Sequence, residues 1–373
     1  MDRLERLAFN SLPAALWPDV TANVYHHRSN QIQCGGQYGF NLFFCCSSNV
    51  HQGWPKFMLS AVQLQPQNTS TSGGGGGGGS SGDGSAVVIS GYAPSFTTLP
   101  DGGGTVNVTG TYPFSDTATI TLSKPTKLQL RIPCWTDGAS VTTVSPALDG
   151  TAVVTTATDA VPCTFYSVDA AATTIKVAFD VPITFYRWVA NQTDGSYAGK
   201  DAQGPPGTNG GGVEVHRGAL TFALRPTEVV QETTIGCIGG SPEGRYGWNC
   251  TGTPGGVPQF PAIKSRDVQV STEPGSGGNW SYGILPHTAT FVTVGTGAPP
   301  AGYPFSVDAP PAVAIKIKAR NLNWNKSRAN LGWSDPGCPP HSPLASDAPL
   351  EEITLVPFGS TNIRISVFPE LIA

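Results

Sequence analysis

Between residues 117 and 180 the chain alternates apolar and polar residues with a period of two. Ala118, Ile120 and Leu122 alternate with threonines, and Leu128, Leu130 and Ile132 alternate with polar neighbours. Ile175, Val177 and Phe179 repeat the pattern. In an extended chain successive side chains point to opposite faces, so such a segment buries one face and wets the other. That arrangement belongs to half-buried antiparallel strands. Turn signals at roughly ten-residue spacing predict a β-sandwich. The same alternation resumes at Val213 and Val215, then at Leu220, Phe222 and Leu224. Val313, Ile315 and Ile317, with Ile363, Ile365 and Val367, complete a second sandwich-like set. Composition agrees, with 46 Gly, 33 Pro and only 12% charged residues in 373, a balance that favours strands and turns over long helices.

The first 64 residues differ. Leu4, Leu7, Ala8 and Leu12 recur at helical spacing, Asp2 and Glu5 suit a capping box, and Pro13 and Pro18 end or kink the helix. A short segment, NVYHHRSNQI, looks extended. A second helix is predicted through WPKFMLSAVQL, with Ser47 or Ser48 as its cap or Pro55 marking its start. Two helices of this size cannot enclose a core, so their apolar faces need a partner. The low-complexity stretch QPQNTSTSGGGGGGGSSGDGS and the Gly/Pro-rich NQTDGSYAGKDAQGPPGTNGGG read as flexible excursions. The expected organisation is a helical piece over 1–64, a linker over 65–85, a middle β-sandwich over 86–190, a loop over 191–212 and a C-terminal β-sandwich over 213–373.

A net charge of −4 gives no basic footprint for nucleic acid or an anionic membrane, and a neutral ligand such as a carbohydrate suits it. No apolar run is long enough to cross a bilayer, so the chain reads as soluble. MDRLERLAFN lacks the apolar core of a signal peptide, while sequons such as those at Asn68 and Asn107 would suit secretion. The compartment stays open. G-x-S-x-G, P-loop and H-E-x-x-H patterns are absent, which removes the usual serine-hydrolase, nucleotide-hydrolysing and zincin readings.

Among eight cysteines, Cys45 and Cys46 are adjacent, just ahead of the second predicted helix. Adjacent cysteines seldom bridge each other, because the small ring strains the intervening peptide bond. Together they can place two thiolates on one soft metal ion, zinc foremost. A position before a helix N-terminus lowers a thiol pKa and makes a competent nucleophile. Both can equally be small buried hydrophobes, and no spacing to Cys34, His26, His27 or His51 resembles a standard zinc motif. Glu5 reads as a solvated helix-face charge or a cap partner, and Tyr25 as a core ring. The tryptophans from Trp135 to Trp333 suit sandwich cores and edges, with stacking on sugar rings as the functional alternative.

Several blocks, in order, carry a more specific signal: DRLERLAFNSLPAAL, VYHHRSNQI, CCSSNVHQGWPKF, YPFSDTATITLSKPTKLQLRIPCW, VEVHRGALTFALR and HSPLASDAPLEEITLVPFGSTNIRISVFPEL. Together they resemble glycoside hydrolase family 127, the β-L-arabinofuranosidase-like family. The resemblance implies a mainly β chain: the C-terminal remnant of an (α/α)6 barrel followed by two antiparallel β-sandwich domains. It implies retaining hydrolysis with Cys45 as nucleophile, a zinc ion held by Cys45 and Cys46, and Glu5 and Tyr25 against the sugar of arabinofuranose-containing glycans. Phe44 stands where the family usually has glycine, and CCSSN replaces the commoner CCTAN. The family's other zinc ligands, in a Glu-x-Cys motif, and its acid/base glutamate precede the DRLER block, so the chain by itself is expected to be inactive. A rival expectation is a non-catalytic carbohydrate-binding or scaffold protein with a vestigial cysteine pair. A vicinal-dithiol metal or redox protein is a third.

Overall fold

The threonine-interleaved segments form strands as their period demands. Thr117–Leu122, Leu128–Ile132 and Thr174–Asp180 each bury the apolar set and turn the intervening residues away from it. The structure, a computed structural model, describes residues 1–16, 24, 29–30, 32–34, 49–65, 86–146, 151–168, 171–187, 212–235, 263–270, 280–323 and 342–372. Within these the chain is mostly β.

In the middle region a six-stranded antiparallel sheet runs, in spatial order, through Ser95–Thr98, Thr105–Thr109, Thr117–Leu122, Thr174–Asp180, Gly138–Pro146 and Ala152–Ala160. A four-stranded sheet orders Thr164–Val168, Leu128–Ile132, Ala86–Ile89 and Val62–Gln65. It is mixed, because Ala86–Ile89 runs parallel to Leu128–Ile132. Further on, Ile183–Arg187, Val213–Arg217, Leu220–Leu224, Leu350–Pro357, Val313–Asn321 and Tyr282–Ile284 form a larger sheet, to which Thr290–Thr293 and Val367–Phe368 add. A three-stranded sheet joins Gln33–Cys34, Ile263–Val270 and Glu228–Ile235.

Two segments differ from the sequence expectation. The second helix spans Gly53–Leu59 and stops there, and Val62–Gln65 is a strand paired with Ala86–Ile89. Ala61, Gln63 and Leu64 are good helix formers, but pairing with a strand rich in Val and Ile overrides that local preference. Ile183–Arg187, expected in the middle sandwich, instead pairs with Val213–Arg217. In both cases a Gly-rich stretch separates strand ends that stand opposite each other: Gln65 faces Ala86, and Arg187 faces Val213. Ile235 faces Ile263 in the same way. Lengthening a hairpin connection adds only about 0.6 kcal/mol of closure entropy per doubling. The long Gly-rich inserts therefore sit where extra residues disturb pairing least.

The helical partner required by the apolar face is the β structure itself. The first helix runs from Asp2 to Ala14, with a wide π turn at Leu7–Ser11 in which the Leu12 N–H bonds to the Leu7 carbonyl. The widened turn lets Pro13, which has no N–H to give, sit in the last turn without breaking the helix. Ala8, Phe9, Asn10, Pro13 and Ala14 are buried, whereas Leu4 and Leu7 are exposed. Three polar anchors hold the buried face. At its start Arg131 pairs with Asp2 and Glu5. In the middle the Asn10 amide donates to the carbonyls of Arg6 (2.7 Å) and Ala219 (2.8 Å) and accepts from the Thr221 N–H (2.7 Å). At its end Arg364 donates to the Ala14 carbonyl and the Tyr303 hydroxyl to the Pro13 carbonyl (2.9 Å). One buried cluster extends from Ala8 and Phe9 through Ile120 and Leu130 to Phe222 and Ile315. The Asp116–Arg217 pair at 2.8 Å and the rings of Phe114 and Phe305, 5.1 Å apart, stitch the middle and C-terminal strands together.

Candidate functional site

The polar group around Glu5 is a buried charge cluster that joins the first helix to the middle strands. Glu5 is neither a solvated helix-face charge nor a cap. It is 0% exposed, and no side chain caps the helix start. Its Oε1 accepts from the Tyr112 hydroxyl at 2.8 Å, and its Oε2 lies 2.6 Å from an Arg131 terminal nitrogen. The other terminal nitrogen of Arg131 meets Asp2, and its Nε donates to the Ser90 carbonyl at 2.5 Å. Tyr92 closes the network by donating to the Arg131 carbonyl at 2.6 Å. Leu128, Leu130 and Ile132 occupy one face of their strand, which leaves Arg131 on the other, beneath the helix.

Burial pushes the Glu5 carboxyl above the usual carboxylate range, against the opposing pull of Arg131 and of the Tyr112 hydrogen bond. Burial and the nearby Glu5 charge push the Tyr112 hydroxyl well up, so it stays protonated and is a fixed donor. For Arg131 burial opposes the charge, but Glu5, Tyr112 and Asp2 outweigh it and the guanidinium is held charged. The arrangement holds one carboxylate in a dry place between a permanent cation and a permanent hydroxyl donor. No pattern in the sequence marks Arg131 or Tyr112 for this role. Each occupies a strand or turn position that looks solvent-facing until the helix covers it.

Cys45, Cys46 and Tyr25 lie outside the described residues, as do His26, His27, Cys237, Cys250 and Cys338. What the structure does place is the helix that follows the cysteine pair. Gly53–Leu59 packs on the first helix: the Phe9 ring is 5.7 Å from Trp54 and 5.4 Å from Phe57. Gly53 fits so closely that a Cβ there would come within 2.8 Å of Leu12. The Phe9 ring also meets Tyr112 at 5.6 Å, so this aromatic group adjoins the Glu5 network. On their outer side the two helices border an apolar groove of about 580 Å³, lined by Leu4, Leu7, Leu12, Lys56 and Phe57 among others. Among the described residues no three His, Cys, Asp or Glu side chains converge as metal ligands.

The tryptophans the structure describes are packing residues. Trp135 stacks on Tyr112 at 6.5 Å, and Trp280 is buried. Cys134 and Cys163 form a disulfide, with Cα atoms 4.3 Å apart, across the antiparallel pair Leu128–Ile132 and Thr164–Val168.

No family model matches the chain, and no curated protein matches it. Among solved structures it is similar to a glycoside hydrolase, at 14% identity and a TM-score of 0.49, covering 100% of this chain and 48% of that one. A GH127 β-arabinofuranosidase gives 14% and 0.47, covering 99% of this chain and 45% of the other. A GH127 β-L-arabinofuranosidase from Geobacillus stearothermophilus gives 14% and 0.45, covering 98% and 44%. The chain thus spans a little under half the length of each of these proteins.

Proposed function

We propose that the chain is part of a retaining glycosidase of the family 127 kind, acting on arabinofuranose-containing glycans with Cys45 as nucleophile. The observation that carries this reading is the packing of the Gly53–Leu59 helix on the helix that bears Glu5. Two of the sequence blocks resembling the family are thereby neighbours in space, which a site built from both requires.

In this reading the Cys45 thiolate attacks the anomeric carbon, the C–O bond to the leaving group breaks, and a thioglycosyl enzyme forms. Water then attacks the same carbon and releases Cys45, so two inversions retain configuration. None of the residues singled out is assigned the general acid. Cys45 and Cys46 would hold the zinc ion, and the chemistry of two adjacent thiols suits that metal. When bound, zinc keeps a coordinated thiol deprotonated. Glu5 and Tyr25 are proposed to face the sugar. The proposed organisation is a helical piece within 1–64 joined to β-sandwich domains within 86–190 and 213–373, with Val62–Gln65 and Ile183–Arg187 each pairing across those bounds.

An aryl β-L-arabinofuranoside with a dinitrophenolate leaving group tests the nucleophile directly, because such a leaving group departs without an acid. Mass spectrometry should find a pentosyl adduct on the Cys45 peptide, absent in Cys45→Ser, and zinc content should fall in Cys46→Ser. A folded protein that gives no adduct but binds arabinan equally well with and without Cys45 would establish the carbohydrate-binding alternative instead.

A further inference from the structure

The six-stranded sheet ends on one side at Ala152–Ala160, whose ladder among the described residues is with Gly138–Pro146 alone. Every residue from Ala152 to Thr156 is exposed, including Val153 at 53% and Val154 at 61%. In an antiparallel pair each strand bonds its neighbour through alternate residues, so every second residue of this one turns its N–H and C=O outward. Such a row is a template for another strand.

Natural sheets blunt such edges with Lys, Pro, bulges or short length. AVVTTATDA contains no Lys, Arg or Pro, and Asp159 is its sole charge. The bulge, between Ala139 and Val141, affects the pairing of residues 157–160 and leaves Ala152–Thr156 in regular register. The Thr142 and Thr156 hydroxyls lie 3.0 Å apart and tie the edge to its neighbour. Just beyond the strand, Cys163 is bonded to Cys134. The edge is thus held in place before any partner arrives, which lowers the ordering cost of association. The opposite edge of the same sheet, Ser95–Thr98, is four residues long.

We propose that Ala152–Ala160 pairs antiparallel with the same strand of a second copy of this chain, joining the two six-stranded sheets across a two-fold axis. The outward bonding groups recur at every second residue, so opposed residues must differ by an even number. The axis therefore passes through a residue, and the regular register places it within Val153–Thr156. Within the strand, an axis at Val153, Val154 or Thr155 sets only Val, Thr and Ala opposite one another, an axis at Thr156 sets Val153 opposite Asp159, and none of the four sets Asp159 opposite its own copy. A self-complementary strand makes an isologous contact that closes after two copies.

Sedimentation equilibrium of the full chain across micromolar concentrations tests this. The wild type should dimerise reversibly. Val154→Lys and Thr156→Pro, each present twice at the axis, should raise the dissociation constant roughly tenfold or more. Phe96→Lys on the opposite edge should leave it unchanged. Near-ultraviolet circular dichroism checks that each variant keeps its packing, and hydrogen exchange at residues 152–156 should slow as concentration rises. A wild type that stays monomeric throughout overturns the proposal, and so does a dimer whose constant is the same in both edge variants or whose 152–156 exchange ignores dilution.

Discussion

Replacing Arg131 with Met is the sharpest probe of the network that seats the first helix. Met keeps much of the apolar stem but removes the cation, so the Glu5 carboxylate is left buried with only the Tyr112 hydroxyl facing it. Asp2 also loses its partner, but at 29% exposure it can rehydrate. Breaking a buried pair from one side costs about 3–5 kcal/mol, and the Arg131 side chain, 8% exposed, meets that description. The cost should depend on pH. Burial already places the folded Glu5 pKa above its ordinary value of 4.5, so the folded state binds the proton more tightly than the unfolded chain. A group of this kind contributes most at low pH, and its contribution is lost as pH rises through the folded value. Loss of Arg131 removes the strongest opposing effect and raises that value further. The stability gap between wild type and variant should therefore be small below pH 4.5 and widen towards neutrality. Urea unfolding followed by emission of Trp135, which stacks on Tyr112, reads the gap. Adding Glu5→Gln to the variant should restore at least about 1 kcal/mol at neutral pH, since no charge is then buried. A loss under about 1 kcal/mol at neutral pH, or a gap constant with pH, would refute the electrostatic account.

Two further expectations concern packing and covalent linkage. Phe9→Ala empties the ring cluster shared by Trp54, Phe57 and Tyr112. It should destabilise by about 3–5 kcal/mol, and limited proteolysis should cut within residues 49–61 before it cuts the strands. Cys134→Ser, or reduction of the wild type, opens a link between residues separated by 29 positions. The expected loss is about 2–4 kcal/mol, read as a lower unfolding temperature by calorimetry. Equal temperatures with and without reductant would count against a structural role for the bond.

The strands were legible in the sequence wherever a sheet buries one face, because Ala118, Ile120 and Leu122 announce that face through their period. Arg131 was not, for a physical reason. Its strand is covered by the opposing sheet on one side and by the first helix on the other, and a buried arginine on the second side looks like any polar residue on a wet face. The pairing of Ile183–Arg187 was hidden because composition locates a Gly-rich loop without saying whether it divides two sheets or closes one hairpin. The Cys134–Cys163 bond follows only from the register that sets Ile132 opposite Thr164. Spacing among eight cysteines does not contain that register.

The first helix links these observations to the proposed chemistry. Its buried face is polar at three points along its length, and each point contacts a different part of the β structure: Leu128–Ile132, the 213–224 hairpin and the C-terminal segment around Arg364. Apolar packing alone would allow the helix to slide or roll by small amounts, since it is not directional. Hydrogen bonds from Asn10 and ion pairs from Arg131 fix both register and rotation. Phe9, on the same face, then sets the Gly53–Leu59 helix, and with it the point from which the chain leads back to Cys46. Both Glu5 oxygens are engaged by the protein, so this carboxylate already has a positioning task. A sugar contact by Glu5 would require exchange of Tyr112 or Arg131 as its partner.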